Sequence, residues 1–358
     1  MPNQLRETDF ILLGYDQATL VEDLSTHSLF EAQTTAGLTK VNSTFLYLKS
    51  GTRRDQEASL LDRLGKAPDP YVIVPKSRSE RIPSLEKAFT LNGRIFVYET
   101  LIWEKISEIF SEYITEIQES IPVPKPFVAP SAKTDAKEKV NRELIKLLRN
   151  GSSENEIHSI IALLAPAGLG KTSLSRWLTV ELAKHSSKFG VIPIYVEASH
   201  WRQSHVDIEN DGDLWPIVSN SLNHFSPNIK LSRQIYEHLL TSGDLAFIFD
   251  GFDELCADQS APLDPLNISK KLQMIAKQSS AKIVVTSRDA YWNTQIGDEL
   301  DAVIRKDLAP FTKPQAYKYL EDRFGSDKDS FKAARNLLGV LKAANKPSTA
   351  GGGKHQVT

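Results

Sequence analysis

The stretch "LLAPAGLGKTSL", residues 163–174, constrains the fold of this chain more than any other. An apolar run ends at Ala165, gives way to Pro166, Ala167, Gly168, Leu169 and Gly170, and a helix-like pattern resumes after Lys171 and Thr172. An ordinary strand-to-helix turn needs glycine but neither a lysine nor a hydroxyl. A phosphate cradle needs all of them. The spacing fits G-x-x-x-x-G-K-[ST], with Ala165 in the first glycine position. Gly168 and Gly170 relax the φ restriction so that the loop from Ala165 through Ser173 can wrap its amides around a polyphosphate. Lys171 then neutralises the β and γ oxygens, and the Thr172 hydroxyl is placed to ligate Mg²⁺. Leu174, Trp177, Leu178 and Leu182 supply an apolar stripe that docks the following helix on a sheet.

A phosphate loop hydrolyses nothing by itself; the metal and the attacking water need a second carboxylate site. "LAFIFDGFDELC" supplies one. Leu245 to Phe249 is continuously apolar, as expected of a strand buried on both faces, and Asp250 at its end is costly there unless paired or bound to a cation. Gly251 lets the backbone approach a nucleotide, and Asp253 and Glu254 add two carboxylates, one of which would orient or activate water. The plain alternative is acidic residues ending a strand in a turn. In "KIVVTSRDA" a β-rich run ends in Thr286, Ser287 and Arg288. Polar residues at the carboxyl end of such a strand face the ligand crevice of an open α/β sheet, so Arg288 is placed to sense a γ-phosphate, with a surface salt bridge as the alternative.

The expected organisation is α/β throughout. Residues 1–120 read as a small α/β effector or adaptor domain, with strands at "DFILLGY", "SLFEAQ", "STFLYL", "YVIVPK" and "RIFVYE" and helices at "DQEASLLDRLGK" and "LIWEKISEIFSEYITEI". Residues 121–139 carry Pro122, Pro124, Pro126 and Pro130 and read as an extended linker. Residues 140–310 read as a parallel sheet flanked by helices, with strands at "IHSIIALLA", "VIPIYVEAS", "LAFIFD", "KIVVTS" and "DAVIRKDL". Residues 311–344 begin a helical lid, and the Pro/Ser/Gly-rich residues 345–358 read as a disordered tail.

Taken in order, "GLGKTSL", "IPIYVEAS", "FIFDGFDEL", "IVVTSRD" and "LAPFTKPQAYKYL" resemble the NACHT-type STAND NTPases, signal-transducing P-loop ATPases related to the AAA+ class. The resemblance spans residues 140–340 and is most specific at the first and third blocks. It implies a slow ATPase in which Gly168, Gly170, Lys171 and Thr172 carry phosphates and Mg²⁺, Asp250 carries Mg²⁺, Asp253 and Glu254 support hydrolysis, and Arg288 is the first sensor. Leu308, Phe311, Gln315 and Tyr319 match the start of the lid. ATP or ADP with Mg²⁺ is the implied cofactor, with no preference over GTP legible. Family members continue through a winged-helix domain that locks ADP, and a repeat-built sensor. Here Pro347 stands where a lid proline would meet the base, but "STAGGGKHQVT" follows, so the resemblance implies a C-terminally truncated chain. The lid stripes at Tyr317, Leu320 and Phe324, and at Phe331, Leu337, Leu338 and Leu341, then lack a covering surface and favour either collapse onto the sheet or self-association.

Composition closes off some alternatives. Lys+Arg 43 against Asp+Glu 45 leaves a net charge of −2, which gives no global pull towards nucleic acid or an anionic membrane and leaves a local nucleic-acid patch undecided. No run reaches the ~18 apolar residues of a membrane span, and the single cysteine, Cys256, suits a reducing, cytoplasmic setting. His200 and His205 flank a Trp-Arg-Gln-Ser loop and form no metal-ligand pattern. In the first domain a metal nuclease would need a carboxylate and a lysine two apart on a strand. Lys49 has Tyr47 at that position, and Glu31 has Gln33, so a protein-interaction module fits more simply.

The function these features imply is an ATP-driven switch controlling the first domain in regulatory or antiviral-type defence signalling, triggered by a phage or other foreign component. An AAA+-like motor and a non-hydrolysing nucleotide-gated scaffold are the alternatives.

Overall fold

The computed structural model describes residues 5–36, 39–89, 94–133, 139–149, 160–198, 214–256, 264–301 and 303–344. His200, His205, Pro347 and the tail 345–358 lie outside them.

The first unit opens with a one-turn helix α1 (Asp9–Leu12), then β1 (Gln17–Asp23), β2 (His27–Ala36), β3 (Thr39–Leu48), α2 (Arg54–Leu64) and β4 (Pro70–Val74). A 3-10 turn (Lys76–Arg81), α3 (Ile82–Phe89), β5 (Ile95–Val97) and the long α4 (Tyr98–Ser120) complete it. The sheet order is β1-β2-β3-β4-β5; β1, β2 and β3 run antiparallel, and β3, β4 and β5 run parallel. The apolar run "DFILLGY" is a helix and turn rather than the expected strand. Short apolar runs do not distinguish the two by periodicity. Here the Asp9 carboxylate accepts from Arg6 N at 2.7 Å, which closes the turn and drives Phe10 onto Phe30 and Phe45. β1 escaped the sequence reading because its alternation is weak and nearly all of it is exposed.

The second unit comprises α5 (Val140–Leu148), β6 (Ile160–Leu164), α6 (Lys171–Lys184), α7 (Ser186–Phe189) and β7 (Ile192–Glu197). After it come α8 (Trp215–Phe225), α9 (Arg233–Ser242), β8 (Leu245–Asp250), α10 (Phe252–Cys256), α11 (Pro265–Gln278), β9 (Lys282–Ser287), α12 (Asp289–Gln295) and β10 (Val303–Asp307). The sheet is wholly parallel, in the order β10-β6-β9-β8-β7. β6 and β8 are buried along their whole length, as strands covered on both faces must be. β6 is flanked by β9 and β10, while α6 carries the chain away to β7 at the far edge. The loop after β6 therefore opens at a reversal of strand order, where such sheets bind ligands.

The two units share one hydrophobic cluster. The stripe Ile102, Ile106, Phe110, Tyr113 and Ile117 on α4 is buried, and α4 packs directly on α6 and α8. Residues 121–133 hold no regular element beyond isolated bridges at Ser131 and Ala132, but they are not a free spacer. Phe127 stacks on Trp177 of α6 with ring centroids 5.1 Å apart and planes 6° apart. On the other side lie α13 (Lys313–Phe324) and α14 (Lys328–Ala344). Gln315 Nε2 of α13 donates to Ala129 O at 2.9 Å and Ser131 Oγ at 3.1 Å. No residue of α13 is buried, and Leu337 of α14 is 60% exposed.

Candidate nucleotide site

Gly168 and Gly170 adopt φ of +78° and +88°, and open space surrounds the position a side chain would take at each. That is backbone shaped to approach a ligand closely. α6 begins at Lys171, so its first free amides point into the same concavity. Lys171 Nζ folds back over the loop, donating to Ala165 O at 2.8 Å and Pro166 O at 3.1 Å. Burial holds its ammonium below the ordinary range, with Asp253 pulling the other way. Both of its partners are neutral carbonyls, so an anion arriving in the loop offers the lysine a stronger bond than either.

Across the opening, β8 delivers Asp250, 5% exposed. Two neighbouring strands bracket its carboxylate. Thr286 of β9 donates to Oδ1 at 2.7 Å, and Tyr195 of β7 donates to Oδ2 at 3.0 Å. Thr172 Oγ1 reaches Oδ1 at 3.4 Å, which joins the loop to the carboxylate. Thr286 Oγ1 also accepts from Gly251 N at 2.9 Å, fixing the turn that follows Asp250. Burial, and then the Asp250 charge, push the Tyr195 hydroxyl far above its ordinary value, so it stays a donor.

The acidic pair divides. Asp253 is buried and holds Arg288: Nε lies 3.0 Å from Oδ2, and Arg288 N donates to Oδ1 at 3.3 Å. Glu254 is exposed beside Gly251, at the rim of the concavity. A cavity of about 300 Å³ is lined by Gly168, Gly170, Lys171, Thr172, Ser173, Gly251, Asp253, Glu254, Thr286 and Arg288. The structure thus brings Gly251, Asp253, Glu254, Thr286 and Arg288 to the loop, with Asp250 joined through Thr172, whereas Ser287 is buried and outside the cavity lining.

A second cavity, of about 540 Å³, shares Gly168, Gly170 and Ser173 with the first. Its other walls are Pro124, Pro126, Phe127, Val128 and Pro130 from the connecting segment, Leu169 from the loop, and Ala309, Phe311 and Tyr319 from the lid side. These prolines read in sequence only as helix breakers. Phe127 and Val128 among them were the available signal, because a solvated spacer has no use for large apolar side chains. Tyr195 was missed as well, since a tyrosine in "IPIYVEAS" looks like any β-former.

The residues fit a Mg²⁺-bound nucleotide. The glycine cradle is open, the lysine's hydrogen bonds among the described residues go to neutral carbonyls, and a hydroxyl and a carboxylate converge as hard oxygen donors suited to that ion. In the first unit, Lys49 Nζ lies 2.6 Å from both Asp23 Oδ1 and Leu24 O, while Tyr47 is buried and Glu31 is exposed. Lys49 is thus engaged in an ion pair with Asp23 of β1. No helix among the described residues is long and apolar enough to cross a membrane.

No curated protein matches the chain. Among solved structures, similarity is found to the replication initiator DnaA bound to AMPPCP and single-stranded DNA, at 15% identity and a TM-score of 0.35, over 61% of this chain and 62% of that one. The Aeropyrum pernix ORC2 protein in ADPNP and ADP complexes is similar at 14% identity and a TM-score of 0.35, over 64% and 65%. C. elegans PCH-2 is similar at 13% identity and a TM-score of 0.31, over 58% and 63%. The chain thus spans less than two thirds of the length of each. Residues 159–327 match the NACHT domain family, a span that takes in the loop, the segments carrying Asp250 and Arg288, and the first lid helix.

Proposed function

We propose that the second unit binds ATP with Mg²⁺, hydrolyses it slowly, and uses the bound state to govern the first unit. One observation carries this reading: the glycine-cradled loop, Lys171 and Thr172 stand directly opposite Asp250, with Thr172 Oγ1 and Asp250 Oδ1 3.4 Å apart.

The loop amides from Gly168 to Ser173 and Lys171 would hold the phosphates, and Ala165, Pro166 and Ala167 set the turn that presents them. Thr172 and Asp250 would hold the ion, which when bound neutralises phosphate charge. Glu254 would orient water, because Asp253 already spends both oxygens on Arg288. Arg288, more than half exposed, would turn from Asp253 towards a γ-phosphate. The apolar cavity between the proline segment and the lid would take the base and ribose.

Control of the first unit is supported by the core shared between α4 and α6. A regulatory or defence setting, with self-association on activation, is what the NACHT match favours. The described structure adds the exposed lid faces.

The test pairs ATP affinity, with and without Mg²⁺, with single-turnover hydrolysis. A switch binds with Mg²⁺ and turns over slowly, a motor turns over steadily, and a scaffold binds without turnover. Absence of Mg²⁺-dependent binding would refute the proposal.

A further inference from the structure

Among the described residues β7 is the outer strand of the second sheet, so its outward N–H and C=O groups meet no described neighbouring strand. At Tyr195 side chains cap both. Tyr195 N donates to the Tyr113 hydroxyl at 3.3 Å, and Ser221 Oγ of α8 donates to Tyr195 O. Tyr113 lies on α4 of the first unit and is wholly buried, and Tyr195 itself is 2% exposed. The main chain of this one residue is therefore fixed by the first unit on one side and by α8 on the other.

Its side chain points the other way, into the site. The Tyr195 hydroxyl donates to Asp250 Oδ2 at 3.0 Å, with the Arg176 guanidinium as a charged neighbour. An ionised carboxylate only accepts, so the tyrosine's single proton is given to Asp250. Arg176 is anchored in turn by Glu197 Oε1 at 3.2 Å, the residue level with Asp250 on the neighbouring strand.

We infer that Tyr195 is the positioning residue of Asp250, and that through its main chain α4 of the first unit is coupled to the magnesium side of the nucleotide site. The inference rests on the nucleotide-binding reading above. Thr286 pins Oδ1 and Tyr195 pins Oδ2, so the carboxylate plane is set from both sides. Without the tyrosine hydroxyl, one oxygen has no donor and the plane is free to turn. A displacement of α4 reaches Asp250 by the short route Tyr113, Tyr195, carboxylate.

The test uses the full chain, a fluorescent ATP analogue, and a Mg²⁺ titration of its affinity. Tyr195→Phe keeps the ring in the core and removes the hydroxyl. It should raise the Mg²⁺ concentration for half-maximal effect about tenfold, the usual cost of losing a group that orients a metal ligand, while affinity in EDTA stays as in wild type. In an Asp250→Asn background, Tyr195→Phe should add nothing. Tyr113→Phe should shift the midpoint in the same direction by a smaller factor.

A wild-type Mg²⁺ midpoint in Tyr195→Phe, or a lowered melting temperature with an unmoved midpoint, would overturn the positioning role. An unmoved midpoint in Tyr113→Phe would overturn the coupling. If wild type shows no Mg²⁺ effect at all, the nucleotide-site reading fails and takes this inference with it. If wild type shows the effect and the variants match it, this inference alone fails.

Discussion

Arg288 is paired with Asp253 through both its side chain and its main chain, with Nε 3.0 Å from Oδ2 and N 3.3 Å from Oδ1. The pair closes the rim of the phosphate-sized cavity and leaves the guanidinium half in water. A γ-phosphate offers Arg288 a more highly charged partner than Asp253, so the proposed switch involves an exchange of partners.

Removing Arg288 should therefore separate ATP from ADP. Arg288→Ala is expected to weaken ATP binding about tenfold, or ~1.4 kcal/mol, and to leave ADP binding nearly unchanged. Parallel titrations with the two nucleotides check this. Equal losses for both would mean that Arg288 does not read the third phosphate.

The unequal surroundings of the acidic pair give a second expectation. Glu254→Gln should bind ATP as wild type does and lose about 10²-fold or more in single-turnover hydrolysis. Asp253→Asn should also loosen Arg288 and so disturb ATP binding. Wild-type turnover in Glu254→Gln would move the water-orienting role elsewhere.

Much of this site was legible in the sequence because it lies where physical chemistry leaves little choice. β6 and β8 are buried on both faces, so each reads as an unbroken apolar run, and a loop or a carboxylate at its end stands out. The loop glycines read as such because positive φ admits few other residues. What the sequence concealed depends on tertiary packing. Pro124 to Pro130 break helices in any context, and only the placement of α6 and the lid turns them into a cavity wall. Tyr195 has an ordinary strand composition around it, and its hydroxyl gains a role only once β8 lies alongside. "DFILLGY" misled because one local bond, Arg6 N to Asp9, outweighs the β preference of its apolar residues.

Asp9 also binds the two units together. Buried and fully enclosed, it accepts from Tyr98 Oη at 2.9 Å and lies 3.2 Å from Nε2 of His238 on α9. Burial holds His238 below its ordinary value of 6.5, with the Asp9 charge opposing. As pH falls, the unfolded chain takes up this proton before the folded one does. The contribution to stability is complete above pH 6.5 and is lost as pH drops towards the lower folded value. Urea unfolding at a series of pH values should show stability falling across this window. His238→Gln should flatten that fall. An unchanged pH profile in the variant would show that His238 does not titrate between the two states.

The central claim is that the loop around Gly168 and Gly170 binds a nucleotide through Lys171. The most direct measurement is a calorimetric titration of Mg²⁺-ATP into wild type and Lys171→Ala, with thermal melts of both. Among the described residues the lysine's hydrogen bonds go to the carbonyls of Ala165 and Pro166, so its removal leaves the fold and the loop amides in place. The account predicts saturable binding by wild type, affinity at least about tenfold weaker in the variant, and matching melts. Equal affinity in the two proteins, or no binding by wild type, would contradict it.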